Sequence, residues 1–468
     1  MQDKSTMKIV YCLIGILTAH LSFGQNTATQ LGAAIKKLES DEQFKHAIMS
    51  LYVVDSKTGQ PIYERNAQLG LAPASCQKVV TSVSAFELLG KDFTYKTDIK
   101  IYKTGDSINL FIVGAGDPTL GSWRWPQTKM SSIYENILSA LKKKNIAVLA
   151  CDVSIIENKF TYQPIPDGWV WQDIGNYYGA GAKAFNWHEN QYDLVLGSGN
   201  TEGDLTEIKG FEPSSSKIPI LNFITTGKKG SGDNAYIYSA PNSNSSFATG
   251  TIPPGQNKFI ISGSMPDPAL VFTRELKLNL NANGFTIDQG SNLNFLLQQR
   301  NTSSVETIQT IGSPSFDSIN YWFLKKSVNL YGEAFVKTIA YEKTRSGSTD
   351  SGVNIIKFFW KERGIESSAL NIIDGSGLSP ANRITTNALV TVMQYAKKQS
   401  WFPSFYNALP ETNGIKMKDG YIGGVRSYTG YIKNKTGTEY TFSFIVNNFD
   451  GSAGSVREKM WRVLDILK

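Results

Sequence analysis

Helical patterning at both ends of the chain, with β texture between, most restricts the folds open to this sequence. Apolar residues recur at helical spacing in residues 28–40, in "VVTSVSAFELLG" after Lys78, in "SINYWFLKKSVNLYGEAFVKTIAYEK", in "RITTNALVTVMQYAKKQ" and in the closing "SVREKMWRVLDILK". Residues 193–290 instead hold short alternating segments among Gly, Ser, Asn and Pro, which predicts a β-rich module. A β-hairpin is predicted in "AIMSLYVVDSKTGQPIYERN" around Gly59, strands in "YKTDIKIYKTGDSINLFIVG" and extended segments in "YTGYIKNKTGTEYTFSFIVNNF". At 468 residues the chain is too long for one small domain. The reading is α+β: helices from both ends of the sequence pack on one sheet, and the β-rich middle is inserted.

Lys4 and Lys8 precede "IVYCLIGILTAHLSFG", a basic start, an apolar run and a small residue before Gln25. This reads as a cleavable secretory leader over residues 1–24, the run being short for a membrane span. No stable transmembrane anchor is expected. Cys12 falls inside the leader, so only Cys76 and Cys151 remain, too few for a disulfide framework. Whether those two stay reduced is open at this point. The three histidines, His20, His46 and His188, form no His-x-x-x-His pair, and no Cys-x-x-Cys exists, so no metal or other cofactor is expected. The net charge of +7 is dispersed, without a basic run interleaved with aromatics, which excludes nucleic acid as an implied partner. The last helix carries Met460, Trp461, Val463, Leu464, Ile466 and Leu467 but few basic residues opposite them, and reads as a core helix rather than a membrane-surface one.

Chemistry first shows at Ser75 and Lys78. Pro73 biases Ala72 away from helix, so the helix begins near Ala74 or Ser75 and the two side chains face the same way. A serine hydroxyl becomes a nucleophile when a base takes its proton, and a lysine with a lowered pKa can be that base. The bland alternative is a capping serine and a solvated lysine; Ser139–Lys142 and Ser214–Lys217 share the spacing. Ser327-Val328-Asn329 lies in a helical segment, with the same spacing at Ser107/Asn109, Ser198/Asn200 and Ser318/Asn320. Lys435-Thr436-Gly437 lies in a strand-like run, with β-forming segments on both sides and Thr438 after it, whereas Lys57-Thr58-Gly59 and Lys103-Thr104-Gly105 read as hairpin turns.

Taken in order, Ser-x-x-Lys, Ser-x-Asn and Lys-Thr-Gly form the motif series of penicillin-binding proteins and class A β-lactamases. With "PASCQKVVT", "GAGDPTL" and "DGSGLSPANRIT", the chain resembles the serine D-Ala-D-Ala carboxypeptidase/endopeptidase family, the low-molecular-mass class C penicillin-binding proteins. Ser75 and Ser327 stand 252 residues apart, which leaves room for inserted domains. The resemblance implies a β-lactamase/transpeptidase-like catalytic domain, an antiparallel sheet with helices on both faces, split by two nested β-rich insertions. The expected boundaries are 25–95 and 305–468 for the catalytic domain, 96–192 and 291–304 for the second domain, and 193–290 for the third. It implies Ser75 as acylated nucleophile, Lys78 as base, Ser327 as proton relay to the leaving amine and Asn329 as a holder of Lys78 and substrate. Lys435, Thr436 and Gly437 would bind the terminal carboxylate, and the backbone N–H groups of Ser75 and Thr438 would form the oxyanion hole. "WVWQDIGNYYGAGAKAFNW" resembles the segment that reads the substrate's diamino acid, with Asp173 for the ammonium and Trp171 and Tyr178 as walls, against a plain domain-interface role. Ser376 and Arg383 are further implied substrate contacts. The implied partners are peptidoglycan peptides ending in D-Ala-D-Ala and cross-linked peptides, with β-lactams as inhibitors, in the periplasm. Rival readings are a non-hydrolytic penicillin-binding sensor or scaffold, which steady D-Ala release would exclude, and a β-lactamase or esterase on the same core, which slow deacylation of a penicillin adduct would exclude.

Overall fold

A computed structural model of the chain describes residues 26–104, 107–151, 153–216, 218–290 and 305–468. The expected leader, residues 1–24, lies outside the described residues, as does segment 291–304. Ile48–Asp55 and Pro61–Arg65 pair antiparallel about the Gly59 turn. The free edge of Ile48–Asp55 takes Glu439–Asn447, from the other end of the chain. The resulting six-stranded sheet runs in the order Glu411–Thr412, Ile415–Ile422, Val425–Lys433, Glu439–Asn447, Ile48–Asp55, Pro61–Arg65.

Its central strands bury consecutive residues instead of alternate ones, so both faces must be covered. One face carries the helix of residues 26–39 and the closing helix Ala453–Leu464, which pack Leu31, Ile35, Val456, Met460 and Val463 on Leu51, Val53, Phe442 and Phe444. The closing helix is thus a core helix. The other face carries Lys78–Leu88, Phe316–Lys325, Asn329–Thr344, Thr349–Lys361 and Thr386–Lys397, packed around Val83, Phe86, Phe323, Phe335, Trp360 and Met393. Several of these helices begin where a side-chain oxygen accepts from a first-turn N–H: Ser315 from Ser318, Ser348 from Ser351 and Thr385 from Ala388. Such caps contribute about 1 kcal/mol each and make helix starts legible in sequence.

The middle of the chain departs from the expected boundaries at two strands. Val305–Gly312, expected in the catalytic part, pairs with Lys96–Thr104 in a sheet with Ser107–Val113 and Ser154–Ile156. Thr286–Gly290, expected in the third part, pairs in parallel with Val148–Cys151. Partner choice among short β segments is decided by tertiary packing, which no local pattern encodes. Two three-stranded sheets follow the chain from residue 191: Phe259–Ser264, Gln191–Gly197 and Glu207–Glu212, then Tyr236–Tyr238, Ser246–Ile252 and Ile220–Thr226. Helix Pro268–Ala282 was not expected in this β-textured stretch, although Asp267 caps it and Pro268 opens it. The middle of the chain shares one apolar cluster, from Ile99, Ile137 and Leu141 to Leu194, Ile237, Ala248 and Phe272.

Candidate active site

The Ser75 turn is tighter than the sequence pattern implied. Residues Ala74–Gln77 form a 3-10 turn that feeds the α-helix Lys78–Leu88. At three residues per turn, positions i and i+3 eclipse, so Lys78 lies directly over Ser75. Ala74 enters the turn at φ +46, a left-handed conformation that costs a non-glycine residue about 1 kcal/mol or more. Two glycines press on this turn. A β-carbon on Gly377 would sit 2.0 Å from Ala74 O, and one on Gly420 would sit 2.9 Å from Ser75 N.

Lys78 is fully buried and makes three short contacts: Nζ to Ser75 Oγ at 2.8 Å, to Asn329 Oδ1 at 2.6 Å and to the Ser376 carbonyl at 2.8 Å. Burial, reinforced by the charge of Lys418, lowers its pKa to about 7. A neutral amine has two hydrogens and one lone pair. The two carbonyl oxygens can only accept, so they take the hydrogens. The lone pair then faces Ser75 Oγ, the one partner able to donate.

Asn329 opens its helix two positions after Ser327, which is held at φ +56, and its Nδ2 donates to Tyr178 O at 2.7 Å. The "DGSGLSPANR" loop is pinned by Asp374. That carboxylate accepts from Gln77, Gly377 N and Asn382 on one oxygen and from Trp169 and Ser379 N on the other. The loop thereby sets the Ser376 carbonyl on Lys78. Ser376 itself is fully buried and does not line the Ser75 cavity; its carbonyl supports Lys78. Arg383 is exposed, donates to the Pro380 and Asn382 carbonyls and is not among the residues lining the cavity. Neither side chain reaches the cavity here, because the Asp374, Gly375 and Ser376 carbonyls turn inward onto Gln77, Thr81 and Lys78, and Arg383 binds its own loop's backbone. Beneath it, Glu333 accepts from Gly375 N, and burial, with nearby Asp374, raises its carboxyl to about 8. Cys76 is a free thiol that donates to Lys418 O at 3.2 Å; burial pushes it up to about 11, so it stays protonated.

The third motif is where the expectation fails. Lys435, Thr436, Gly437 and Thr438 occupy the turn between Val425–Lys433 and Glu439–Asn447. Asn434 Oδ1 accepts from the N–H groups of Thr436 and Thr438, and Gly437 takes φ +91. Gly420, beside Ser75, pairs with Ser427, and the turn begins only after Lys433, six residues on and about 20 Å away at the usual rise. Thr436, Gly437 and Thr438 line a different cavity, of about 800 Å³, with Asp55 and Lys397. Flanking β segments mark a hairpin turn as readily as a strand, and here they marked the turn. The strand beside Ser75 carries Lys418-Asp419-Gly420 instead. Lys418 is buried, and its Nζ donates to Asp419 O at 2.7 Å and Oδ1 at 3.1 Å. Burial pushes the Asp419 carboxyl up, but Lys418 and Arg426 outweigh it and hold the group below its ordinary range. Ser427, on the next strand, donates to Pro73 O at 2.5 Å and ties the sheet to the Ser75 turn. The signal that could have found this triplet was a glycine inside a strand, which often marks a close backbone approach.

Ser75, Ser327, Asn329, Asp173, Tyr178 and the strand end Tyr421–Gly423 line one cavity of about 740 Å³. Burial raises the Asp173 carboxyl, and a hydrogen bond from Tyr178 opposes the shift. Trp171 does not wall this cavity; it is half exposed and packs on Tyr238, with centroids 6.0 Å apart. Among the described residues no helix is long and apolar enough to cross a membrane.

A model of the D-Ala-D-Ala carboxypeptidase 3 (S13) family matches residues 31–465. A D-alanyl-D-alanine carboxypeptidase of Actinomadura sp. is 24% identical over 458 residues, covering 91% of this chain and 82% of that protein. The carboxypeptidase DacB of Haemophilus influenzae is 22% identical over 432 residues, covering 86% and 85%. A crystal structure of penicillin binding protein 4 from Haemophilus influenzae superposes with a TM-score of 0.75 at 18% identity, over 90% of this chain and 97% of that one. The fold is therefore the α+β transpeptidase-like fold with additional β-rich sheets.

Proposed function

Because the chain belongs to the D-Ala-D-Ala carboxypeptidase 3 (S13) family, we propose that it cleaves its substrates through an acyl-enzyme on Ser75, with Lys78 as the base. It is a serine-type D-Ala-D-Ala carboxypeptidase/endopeptidase and a penicillin-binding protein. The observation that carries the mechanism is the Lys78 contact set: two carbonyl acceptors and one hydroxyl around an amine whose pKa is near 7. Lys78 takes the Ser75 proton as Oγ attacks the D-Ala carbonyl. The resulting oxyanion is held by the N–H of Ser75 and an N–H of the strand edge at Tyr421, the role first expected of Thr438. Ser327, in the same cavity, returns a proton to the leaving amine, and water then releases the acyl group.

The terminal carboxylate of the substrate meets Lys418, the role first expected of Lys435. Asp419 stands where the family's motif series has threonine. The carboxylate subsite is therefore partly neutralised before any substrate arrives. Asp173 takes a side-chain ammonium of the acyl residue, with Tyr178 beside it, because a carboxylate in a partly desolvated cavity binds a cation strongly. Two inserted parts interrupt the catalytic part, which the chain re-enters after the strand Val305–Gly312. The cell-wall substrate lies outside the cytoplasm, and residues 1–24 act as the leader that delivers the protein to the periplasm.

Mass spectrometry of the penicillin-treated protein tests this reading. The adduct is expected on the peptide containing Ser75 and absent from Ser75→Ala, whose thermal unfolding should stay close to wild type. An adduct that persists in Ser75→Ala overturns the assignment.

A further inference from the structure

The sheet formed by Ile220–Thr226, Tyr236–Tyr238 and Ser246–Ile252 has one buried and one open face. Side chains alternate along each strand. Ile224, Ile237, Ala248 and Ile252 turn into the shared core. Leu221, Phe223 and Phe247 point the other way and are 65%, 58% and 37% exposed. The register aligns Tyr238, Phe247 and Leu221 in one row and Tyr236, Thr249 and Phe223 in a parallel row. Tyr238 stacks flat on Phe247, with centroids 4.8 Å apart and planes 9° apart. The solvent face of a sheet is ordinarily polar, and a contiguous exposed apolar patch marks a binding surface. None of the three strands contains a charged residue.

This face runs into the Ser75 cavity. Tyr236 lines the cavity beside Asp173 and Tyr177. Tyr238, two residues on and on the same face, meets Trp171, whose neighbour Val170 also lines the cavity. An aromatic track therefore leads from the cavity wall out over the inserted sheet.

We infer that this open face is a platform for the sugar strand of peptidoglycan, seated while a stem peptide of that strand occupies the Ser75 cavity. The inference rests on the substrate reading given above. A stem peptide in the cavity is covalently tied to its sugar polymer, which must leave over some part of the rim, and the track begins at that rim. Pyranose rings present flat C–H faces that stack on aromatic rings, and Thr225, Thr249 and Thr251 on the same face offer hydroxyls to sugar O–H and N-acetyl groups. The absence of charge in these strands disfavours an anionic lipid surface or a strongly charged peptide, which would be matched by basic or acidic side chains.

The test uses the full chain carrying Leu221→Ser with Phe223→Ser, and separately Phe247→Ser, each checked by thermal unfolding. The probes are peptide-free glycan strands for binding and a sugar-free pentapeptide ending in D-Ala-D-Ala for turnover. Glycan binding should weaken about tenfold in both variants, while kcat/KM on the pentapeptide stays within about twofold. Unchanged glycan binding overturns the platform. So does a variant that instead breaks up a dimer seen by sedimentation velocity, or one that loses binding to phosphatidylethanolamine/phosphatidylglycerol vesicles while glycan binding holds. If the wild type fails to turn over the pentapeptide yet its glycan binding is lost in the variants, the platform stands and the substrate reading of the cavity falls.

Discussion

Two Lys-x-Gly triplets lie in the same C-terminal region, Lys418-Asp419-Gly420 and Lys435-Thr436-Gly437, and only one meets the Ser75 turn. Lys435-Thr436-Gly437 has the more familiar letters and closes a hairpin held by Asn434. Lys418-Asp419-Gly420 lies on a strand whose glycine lets the backbone come against Ser75 N. Its lysine is buried and its carbonyl accepts from Cys76. The difference is one of neighbours. A cation matters to Ser75 chemistry only where burial strengthens its field and the fold holds it beside the reacting atoms. A lysine in an exposed turn is a solvated charge, whatever residues follow it.

The comparison is sharpened first at Lys78, which depends on its buried neighbours. Lys78→Ala should slow penicillin acylation about a thousandfold or more, as for loss of one member of a catalytic unit. Stopped-flow acylation measures this, and a loss of only a few-fold would mean another base. In the wild type the same rate should fall as pH drops through about 7, because Lys78 can take a proton only when neutral and is increasingly protonated below that value. A pH-independent rate between 5 and 9 would remove Lys78 as base.

The two triplets can be set against each other directly. Lys418→Ala should reduce acylation about a hundredfold, while Lys435→Ala should leave it within about twofold. The reverse order would reinstate the hairpin triplet. A smaller effect is expected at Asp173. Asp173→Asn should reduce the preference for substrates with a free side-chain amine over acetylated ones by about thirtyfold, and leave acylation by a generic penicillin nearly unchanged. Equal losses on both would make it an interface residue. The smallest effect is at Asp419. Asp419→Thr should speed acylation by an anionic β-lactam about tenfold, because a carboxylate no longer competes for Lys418 and opposes the incoming one. A slower variant would mean that Asp419 aligns Lys418 and does not neutralise it.

The sequence by itself determined many of the elements and the local spacing of the first two motifs. Helical periodicity placed the helices at Lys78–Leu88, Asn329–Thr344, Thr386–Lys397 and Ala453–Leu464, because spacing along one face is local, whereas Thr349–Lys361, capped by Ser348, was not anticipated. The hairpin around Gly59 was legible for the same reason. Ser75 and Lys78 sit one turn apart, so their contact needed only local geometry, and Asn329 was found two positions after Ser327. What involves residues far apart in the chain had to wait for the tertiary structure. Val305–Gly312 and Thr286–Gly290 chose strand partners that no pattern announces. The outward turn of Trp171, the burial of Ser376 and the exposure of Arg383 depend on which side of a loop meets another element. Above all, the tertiary structure decided which lysine stands beside Ser75. Charge, burial and reach are properties of packed neighbours, and a lysine and a glycine two positions apart read alike in a strand and in a turn.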